Sequence, residues 1–381
     1  MEISTFFETQ NRSIISQSQK ITVNEASDFH VHLRQDEMLK AMVPTVKMGG
    51  TGTILVMPNL VPPLTTTDMV LNYKKQILEL DPSLELVMTL YLSPQLTPEE
   101  VYKASENGIG GVKMYPMGVT TNSQFGVADL SVYEPTFAAM EEVDMVLNLH
   151  GECPNNHAEN VCVLNAEEKF LDTLVYLNKK FPKLRIVLEH ATTKAAVDIV
   201  KQLSSTVACT ITVHHLFITI DDWAGHPHNY CKPVAKYPSD RDALREAVLS
   251  GNPKFFLGSD SAPHPKEKKE SKSPAAGVYT QPIILQSLAT FFDHFGKLEM
   301  LDGFAGNFGR TFYKLPTQTK KVVLEKSPFI VPNFYTSKDN LNPTKTFDHI
   351  QTHFTVDPNQ KDCTVVVPFI AGSELPWKIC E

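Results

Sequence analysis

Residues 21–59 read ITVNEASDFHVHLRQDEMLKAMVPTVKMGGTGTILVMPN, and this stretch contains one complete strand, helix and strand. The runs 21–34 and 52–59 are rich in β-branched and apolar residues, whereas 36–48 has the apolar spacing of an amphipathic helix. A strand followed by a helix and a second strand is typical of a parallel βαβ unit. The stretch therefore predicts an α/β fold whose size depends on how often the unit recurs.

The same unit recurs as far as about residue 265. Six further strand candidates, separated by segments of helical length, are LELVMTLYLS (84–93), GVKMYP (111–116), MVLNLHGE (145–152), LRIVLEHAT (184–192), VACTITVHHLFI (207–218) and KFFLGSDSAPH (254–264). Eight strands interleaved with helices predict a (β/α)8 TIM barrel, which we assign to residues 1–316. A doubly wound open sheet is the alternative, but no G-x-G-x-x-G motif follows the first strand and no P-loop is present.

Two segments differ from this pattern. Residues 317–381 have short apolar runs among Pro, Asn and Asp, and we expect a small C-terminal appendage packed on the barrel. The stretch KEKKESKSPAAG (266–277) follows the eighth strand, and its charge predicts a solvated connector for most of its residues.

Composition limits the partners. A formal charge of −8 argues against a broad electropositive face, so neither nucleic acid nor an anionic membrane is an expected partner. The six cysteines show no C-x-x-C spacing, which favours reduced thiols in a cytosolic protein. Residues 1–20 lack the basic and apolar regions of a signal peptide, and no 18-residue apolar run occurs. We therefore expect a cytoplasmic protein.

Metal-ligand side chains lie where the predicted strands end. His30 and His32 close the first strand, and the alternation of side chains along a strand puts both imidazoles on one face. With 13 histidines in 381 residues, His-x-His is expected by chance about 0.4 times, so the pair alone is weak. His150, His190 and Asp260 close the fifth, sixth and eighth strands. Active-site groups of (β/α)8 enzymes project from these strand ends, and neutral imidazoles with a carboxylate suit Zn²⁺.

Lys113 closes the fourth strand, where a free ammonium would repel the same metals. A neutral lysine amine can add CO2 to form a carbamate, whose two oxygens can bridge two cations about 3.5–4 Å apart. The alternative is a lysine that extends into solvent.

Four other histidines receive no ligand role. His226 and His228 lie in a Pro/Gly-rich stretch and are predicted to be ordinary loop residues. His214 and His215 are consecutive on the seventh strand, so one of them must face the helices, and the sequence does not say which.

Six blocks in order across residues 28–277 resemble the signature blocks of the dihydroorotases, in particular the shorter, monofunctional class of this amidohydrolase family. The blocks are DFHVHLR, MPNLVPPLTT, GVKMYPMGVTTNS, LHGE, LEHATTK and FLGSDSAPH. The resemblance implies reversible cyclisation of N-carbamoyl-L-aspartate to L-dihydroorotate, the third step of UMP synthesis. It also implies a homodimer.

The resemblance further implies a binuclear zinc centre with six ligands. His30, His32 and Asp260 would hold one ion, His150 and His190 the other, and carboxylated Lys113 would bridge both. Asp260 would also be the catalytic residue, taking a proton from the attacking water and passing it to the leaving nitrogen.

Substrate contacts are implied by the same resemblance. Arg34, Asn59 and His264 would bind the free carboxylate of the substrate. The backbone near Lys232 and Ala276 would contact the pyrimidine ring. Residues 117–126, MGVTTNSQFG, resemble a mobile lid in which Thr120 and Thr121 bond to the ligand.

Two rival functions share these features. A hydantoinase or dihydropyrimidinase would have the same metal centre but would not need a carboxylate clamp, so Arg34 and Asn59 argue against it. A catalytically silent barrel would have no reason to keep Lys113 and Asp260 together.

Overall fold

The computed structural model describes residues 19–336 and 364–380, which include a barrel of eight parallel strands. Each strand pairs with the next in chain order, and a parallel bridge between Val31 and Ser261 links the last strand segment back to the first. The predicted (β/α)8 barrel is confirmed. Its strands are β2 (Ala26–Val31), β3 (Thr51–Val56), β4 (Glu85–Tyr91), β5 (Gly111–Met114), β6 (Val146–His150), β7 (Ile186–Glu189), β8 (Val207–Ile211) and β9 (Phe255–Leu257), and the strand that precedes them is β1 (Lys20–Asn24).

Helices follow the barrel strands and cover the outside of the sheet. The α-helices are α1 (Asp36–Met48), α2 (Thr67–Leu80), α3 (Pro98–Glu106), α4 (Glu134–Glu142), α5 (Ala166–Lys180), α6 (Lys194–Gln202), α7 (Ile220–Trp223), α8 (Pro238–Leu249), α9 (Lys266–Lys269), α10 (Ile284–His294) and α11 (Phe308–Phe312). Short 3-10 turns occupy Ser131–Tyr133, His157–Glu159, His214–Leu216, Pro227–Asn229, Gln281–Ile283 and Leu298–Met300, and Gly303–Asn307 form a π-helical turn. No helix in the described ranges is long and apolar enough to span a membrane.

The predicted first strand is two strands in different sheets, so the prediction of one continuous strand over 21–34 is wrong. At Glu25 the chain leaves β1, and only β2 enters the barrel. β1 pairs antiparallel with β10 (Lys321–Ile330), which in turn pairs with a strand at Glu374–Cys380. A short pair at Tyr335–Thr336 and Val365–Val366 completes the described part of this region. In chain order these strands are β11 (Tyr335–Thr336), β12 (Val365–Val366) and β13 (Glu374–Cys380).

The predicted appendage therefore pairs with a strand from the N-terminal side of the barrel. The division of the chain at residue 316 stays a prediction, and residues 337–363 of the segment lie outside the described residues. Trp377 on β13 is fully buried, and its indole nitrogen donates to Asp293 of α10 at 3.1 Å. The small sheet is thus packed on the helical layer of the barrel.

The N-terminal end of the barrel is filled by α11 and the residue that follows it. Tyr313 stacks on Phe29 of β2 with ring centroids 4.7 Å apart, and its hydroxyl donates to Asn148 of β6. Arg310 is 4% exposed and donates to Thr53 at 2.8 Å and to Glu85 at 2.7 Å. These contacts stabilise one end of the barrel and leave the C-terminal end for chemistry.

The predicted seventh and eighth strands are shorter than their apolar runs. β8 ends at Ile211 and β9 at Leu257, and the residues beyond them form loops at the C-terminal end of the barrel. His214 and His215 consequently lie in a 3-10 turn and not on a strand.

Candidate active site

Five predicted metal ligands meet at the C-terminal end of the barrel. His30 lies on β2 and His32 directly follows it, while His150 ends β6. His190 and Asp260 lie just beyond β7 and β9. All five side chains are buried. The parallel order of the strands brings their ends to one rim, so residues far apart in the sequence become neighbours.

The distances support two overlapping ligand groups. The Oδ1 atom of Asp260 lies 3.3 Å from His30 Nε2 and 3.1 Å from His32 Nε2, so these three ligand atoms face one point. The rings of His150 and His190 have centroids 4.7 Å apart, and the His190 ring is 4.9 Å from that of His30. The first group is suited to one cation, and the second pair lies beside it.

Burial keeps three imidazoles of this rim neutral. It lowers the pKa of His30, His32 and His190 well below the ordinary value of 6.5, with the positive charge of Lys113 or Arg34 as the next cause. A neutral imidazole has a free lone pair, which is the form that binds a metal.

Lys113 lies on β5 with 0% exposure, and its Nζ has no hydrogen-bond partner among the described residues. Burial lowers the pKa of this amine to about 8, against the opposing effect of Glu189 and Asp260. A buried amine without a partner is costly as it stands. The donor set fits an added CO2 group and two cations. The resulting carbamate would add two oxygen ligands to those that the histidines and Asp260 provide.

Two carboxylates that the sequence analysis did not single out hold the histidines in place. Glu189 Oε2 lies 3.0 Å from His30 Nδ1 and also accepts from the Thr210 hydroxyl at 2.6 Å. Glu152 Oε2 lies 2.8 Å from His150 Nε2. A carboxylate on one ring nitrogen fixes the tautomer and leaves the other nitrogen for a metal. The signal was present, since each glutamate lies within two residues of a predicted ligand.

Three predicted site residues have left-handed backbone conformations. The φ angles are 63° at Arg34, 42° at His190 and 46° at Asp260. Non-glycine residues adopt this region only where the surroundings impose it, and such strain concentrates at functional sites. At each of these three positions the chain turns sharply after a barrel strand.

Arg34 is half-buried beside the metal-ligand group. Its Nε donates to the Pro263 carbonyl at 2.9 Å, and burial lowers its pKa to about 10, so it stays charged at neutral pH. The Nε2 atom of His264 lies 3.0 Å from Arg34 Nη2 and 2.9 Å from the Ala276 carbonyl. A single ring nitrogen cannot accept from the guanidinium and donate to the carbonyl at once, so only one of these contacts is a hydrogen bond in any tautomer.

The predicted lid, residues 117–126, contacts three predicted substrate-binding residues. Asn59 Nδ2 donates to the Thr121 carbonyl at 3.1 Å, and the Thr121 hydroxyl lies 3.4 Å from the Ala276 carbonyl. The Lys232 ammonium donates to the Val119 carbonyl at 2.7 Å. The lid therefore lies over the rim in this structure, and the side chain of Lys232 is a contact that the sequence analysis did not foresee.

The predicted site residues surround a small cavity that is open to solvent. Every predicted site residue except Lys113 and His264 lines it, and the two additional lining residues are Tyr115 and Ala262. The lining combines histidines, a guanidinium and a carboxylate, which is suited to a small anionic ligand and its hydrolysis at a metal.

The four histidines that were given no ligand role do not line this cavity. His214 and His215 are both fully buried, and neither is among the described residues that line the cavity. His215 bonds to the Thr212 hydroxyl at 2.9 Å and lies 3.5 Å from the Cys231 thiol. His228 is 3.0 Å from Glu270 at the surface. His214, His215 and His228 thus lie away from the rim of predicted ligands.

Comparison with known proteins adds three relatives. The chain is 54% identical over 308 residues to a probable dihydroorotase of Schizosaccharomyces pombe, covering 80% of this chain and 91% of that protein. It is 45% identical to the dihydroorotase of Mycosarcoma maydis, covering 95% and 98%. A crystal structure of Saccharomyces cerevisiae dihydroorotase in complex with 5-fluoroorotic acid matches with a TM-score of 0.85 and 40% identity, covering 95% and 98%. No family model matches the chain.

Proposed function

This chain belongs to the dihydroorotase family of hydrolases, and we propose that it cyclises N-carbamoyl-L-aspartate reversibly to L-dihydroorotate with two zinc ions. The reaction is the third step of pyrimidine biosynthesis. The single observation that supports the metal centre most strongly is the Nζ of Lys113, which has no hydrogen-bond partner among the described residues and lies beside the proposed metal ligands.

The proposed ligands form two sites that share a bridge. His30, His32 and Asp260 would hold one zinc ion, and His150 and His190 the other. Carboxylated Lys113 would lie between them. When bound, zinc would lower the pKa of a water molecule and polarise the amide carbonyl of the substrate. This chemistry explains why the protein needs no covalent nucleophile.

The residues around the metal centre would handle the substrate and the proton. The Arg34 guanidinium and Asn59 would hold the free carboxylate, with His264 beside them, because a planar fork of N–H donors matches a carboxylate. Asp260 would accept a proton from the attacking water and transfer it to the ring nitrogen as the amide bond breaks. In the biosynthetic direction, protonated Asp260 would assist the loss of water.

The remaining proposed contacts orient the ring. The backbone near Lys232 and Ala276 would bond to its polar edge, and Thr120 and Thr121 would bond to the ligand from the lid. Ring opening creates a second carboxylate and releases one proton. Acidic conditions should therefore favour ring closure, and alkaline conditions ring opening.

A hydantoinase would use the same metal centre without a carboxylate clamp. The half-buried, charged Arg34 at the cavity wall supports a substrate with a free carboxylate. Turnover of dihydroorotate measured beside turnover of hydantoin separates the two activities, and a preference for hydantoin would contradict our proposal.

The decisive experiment changes Lys113. We expect Lys113→Ala to lose one or both zinc ions and nearly all activity while the barrel still folds, because the bridging oxygens are gone. Acetate or propionate added with zinc should restore a measurable fraction of activity, since a free carboxylate offers the same two oxygens to the same cations. Zinc content by atomic absorption and turnover of dihydroorotate are the measurements.

Lys113→Arg is the matched control, because it keeps a positive charge but cannot add CO2. We expect it to be inactive with or without added carboxylate. Near-normal turnover and two zinc ions in Lys113→Arg would rule out the carbamate bridge.

We also propose a homodimer in the cytoplasm. The support is the family resemblance together with the absence of a membrane-spanning helix in the described residues. Sedimentation equilibrium of the purified chain tests the dimer, and a monomer at micromolar concentration would contradict it.

A further inference from the structure

Tyr115 lies at the cavity wall, where neither the sequence blocks nor the proposed contacts give it a role. It follows β5, two residues after Lys113, so strand alternation places both side chains on the inner face. The Lys113 Nζ is 5.1 Å from the centroid of the Tyr115 ring. Tyr115 thus occupies the level above the proposed bridging lysine, closer to the substrate.

The ring of Tyr115 is fixed by its neighbours. It stacks on Tyr91 with centroids 5.2 Å apart and an interplanar angle of 24°, and it lies 6.3 Å from the His150 ring. Tyr91 in turn donates to the Asn122 carbonyl of the lid at 3.3 Å. The position of the Tyr115 hydroxyl is therefore determined by packing before any ligand binds.

That hydroxyl is buried and has no hydrogen-bond partner among the described residues. Burying a hydroxyl without a partner is costly, and most buried polar groups in proteins are satisfied. A tyrosine hydroxyl carries its proton at neutral pH, so the group is available as a donor. A bound ligand that supplies an acceptor would offset this unfavourable free energy of burial.

The charges around the hydroxyl indicate which ligand groups would reach it. Arg34 and Asp260 line the same cavity as Tyr115. The proposed carboxylate clamp and the proposed catalytic carboxylate therefore share this cavity with the hydroxyl. A dihydroorotate molecule held by Arg34 would extend its ring oxygens across this space.

We propose that Tyr115 is a further ligand-binding residue whose hydroxyl donates a hydrogen bond to an oxygen of the bound dihydroorotate or N-carbamoyl-L-aspartate. This role rests on the proposed function, since it takes its acceptor from that substrate. Tyr115 would add a third hydrogen-bond donor to those of Arg34 and Asn59.

The test is Tyr115→Phe, which removes only the hydroxyl. We expect the Kd of 5-fluoroorotic acid to rise about tenfold or more, because a hydrogen bond to a charged ligand is lost. KM for dihydroorotate should rise in parallel, while kcat falls less than KM rises. Calorimetric titration measures the Kd, and zinc content should remain at the wild-type level.

Stability should move in the opposite direction from binding. Since the hydroxyl is unsatisfied in the free protein, Tyr115→Phe should have a Tm equal to or above that of the wild type. Tyr279→Phe is the matched control. Tyr279 is also buried, and it does not line the cavity. This control should leave Kd, KM and kcat unchanged.

Three results would overturn the proposal. Unchanged Kd and KM in Tyr115→Phe would mean that the ring only fills space, and loss of zinc would mean that the hydroxyl supports the metal centre. A lowered Tm would mean that the hydroxyl has a structural partner. Failure of the proposed function is distinguishable, because the wild-type chain would then neither turn over dihydroorotate nor bind 5-fluoroorotic acid.

Discussion

The guanidinium of Arg34 has one hydrogen bond to the Pro263 carbonyl, which leaves donors directed at the cavity. We expect Arg34→Met to raise KM for dihydroorotate about ten- to hundredfold, since a charge-assisted contact of roughly 1.5–3 kcal/mol is removed. Bound zinc should be unchanged because no ligand is lost. Steady-state kinetics with metal analysis check both statements.

Arg34→Lys separates charge from shape in the same assay. A lysine keeps the positive charge but offers no planar fork, so KM should fall between the wild-type and Arg34→Met values. An unchanged KM in Arg34→Met would remove Arg34 from the substrate site.

At the scale of single residues, the sequence predicted the site residues that lie at strand ends. It did not predict those whose role depends on tertiary packing. His150 and Asp260 were predictable because each follows a short apolar run at the position where barrel enzymes carry chemistry. Glu189 stands beside His190 in the sequence, but its partner was not predictable, because its contact with His30 joins residues 159 apart along the chain. Tyr115 lies in the predicted strand GVKMYP, but no local pattern shows that its hydroxyl has no hydrogen-bond partner among the described residues.

Among the loops, the lid at residues 117–126 is connected to the barrel through side chains that surround the cavity. We expect the double substitution Thr120→Ala and Thr121→Ala to lower kcat about ten- to hundredfold without loss of zinc, because two hydrogen bonds to the closed state disappear. Rapid-mixing kinetics measure the effect.

The double change Thr317→Ala and Thr319→Ala is the control for the lid variant. Both of these threonines are exposed and follow α11 at the opposite end of the barrel. It should leave kcat unchanged. Wild-type turnover in the lid variant would reduce the lid to a passive connector.

The predicted solvated connector at 266–277 contains one charged residue that is not solvated. Lys269 is 3% exposed, and its ammonium donates to the carbonyls of Tyr230, Ala275 and Gly277 at 2.8, 2.9 and 2.6 Å. It therefore joins the two loops that carry Lys232 and Ala276. Four lysines within KEKKESK look alike in sequence, and only the fold distinguishes this one.

We expect Lys269→Met to lower the free energy of unfolding by about 1–3 kcal/mol, because three carbonyls lose their donor. KM should also rise, since the two substrate-binding loops lose their common contact. Urea denaturation measures the stability. Lys268→Met, at the exposed neighbouring position, should change neither quantity, and equal stability of the two variants would contradict this role of Lys269.

For the whole barrel, the Arg310 and Glu85 pair at the N-terminal end makes stability depend on pH. Burial alone would raise the pKa of Glu85, but hydrogen bonds from Arg310 and Thr53 outweigh it and hold the pKa below the ordinary value of 4.5. A carboxyl group with a lowered folded-state pKa contributes stability above its unfolded pKa, and loses it as pH falls through the folded value. This contribution is present at neutral pH and disappears below about pH 4.5.

Glu85→Gln should therefore lower the Tm at pH 7 and lower it less at pH 4. The effect should be small because the Glu85 side chain is 42% exposed and solvent screens the pair. Thermal melts across pH 4–7 provide the measurement. Glu79→Gln, at an exposed helical pair with Lys75, is the control and should give parallel curves with the wild type. A constant Tm difference for Glu85→Gln at all pH values would exclude the carboxylate as the cause.

The fold was predictable where contacts are local, and it was not predictable where β1 pairs with the distant strand β10. Strand, helix and strand units follow from periodicity within about 40 residues, and these determined the barrel. The break at Glu25 was not visible, because β1 is as apolar and β-branched as a barrel strand. Its place in a second sheet depends on β10, which no local pattern connects to it.

That pairing has a consequence for synthesis on the ribosome. Asn24 accepts a hydrogen bond from Lys321, 297 residues later in the chain. At about 5–20 residues per second, β1 leaves the ribosome roughly 15–60 seconds before the strand that covers it. Throughout that interval β1 is an unpaired edge, the kind of segment that joins other chains unless something shields it. Lys20 begins β1 and Glu25 follows it, so a charged residue lies at each end of the unpaired strand. Such flanking charges oppose aggregation of the nascent chain until β10 has been translated.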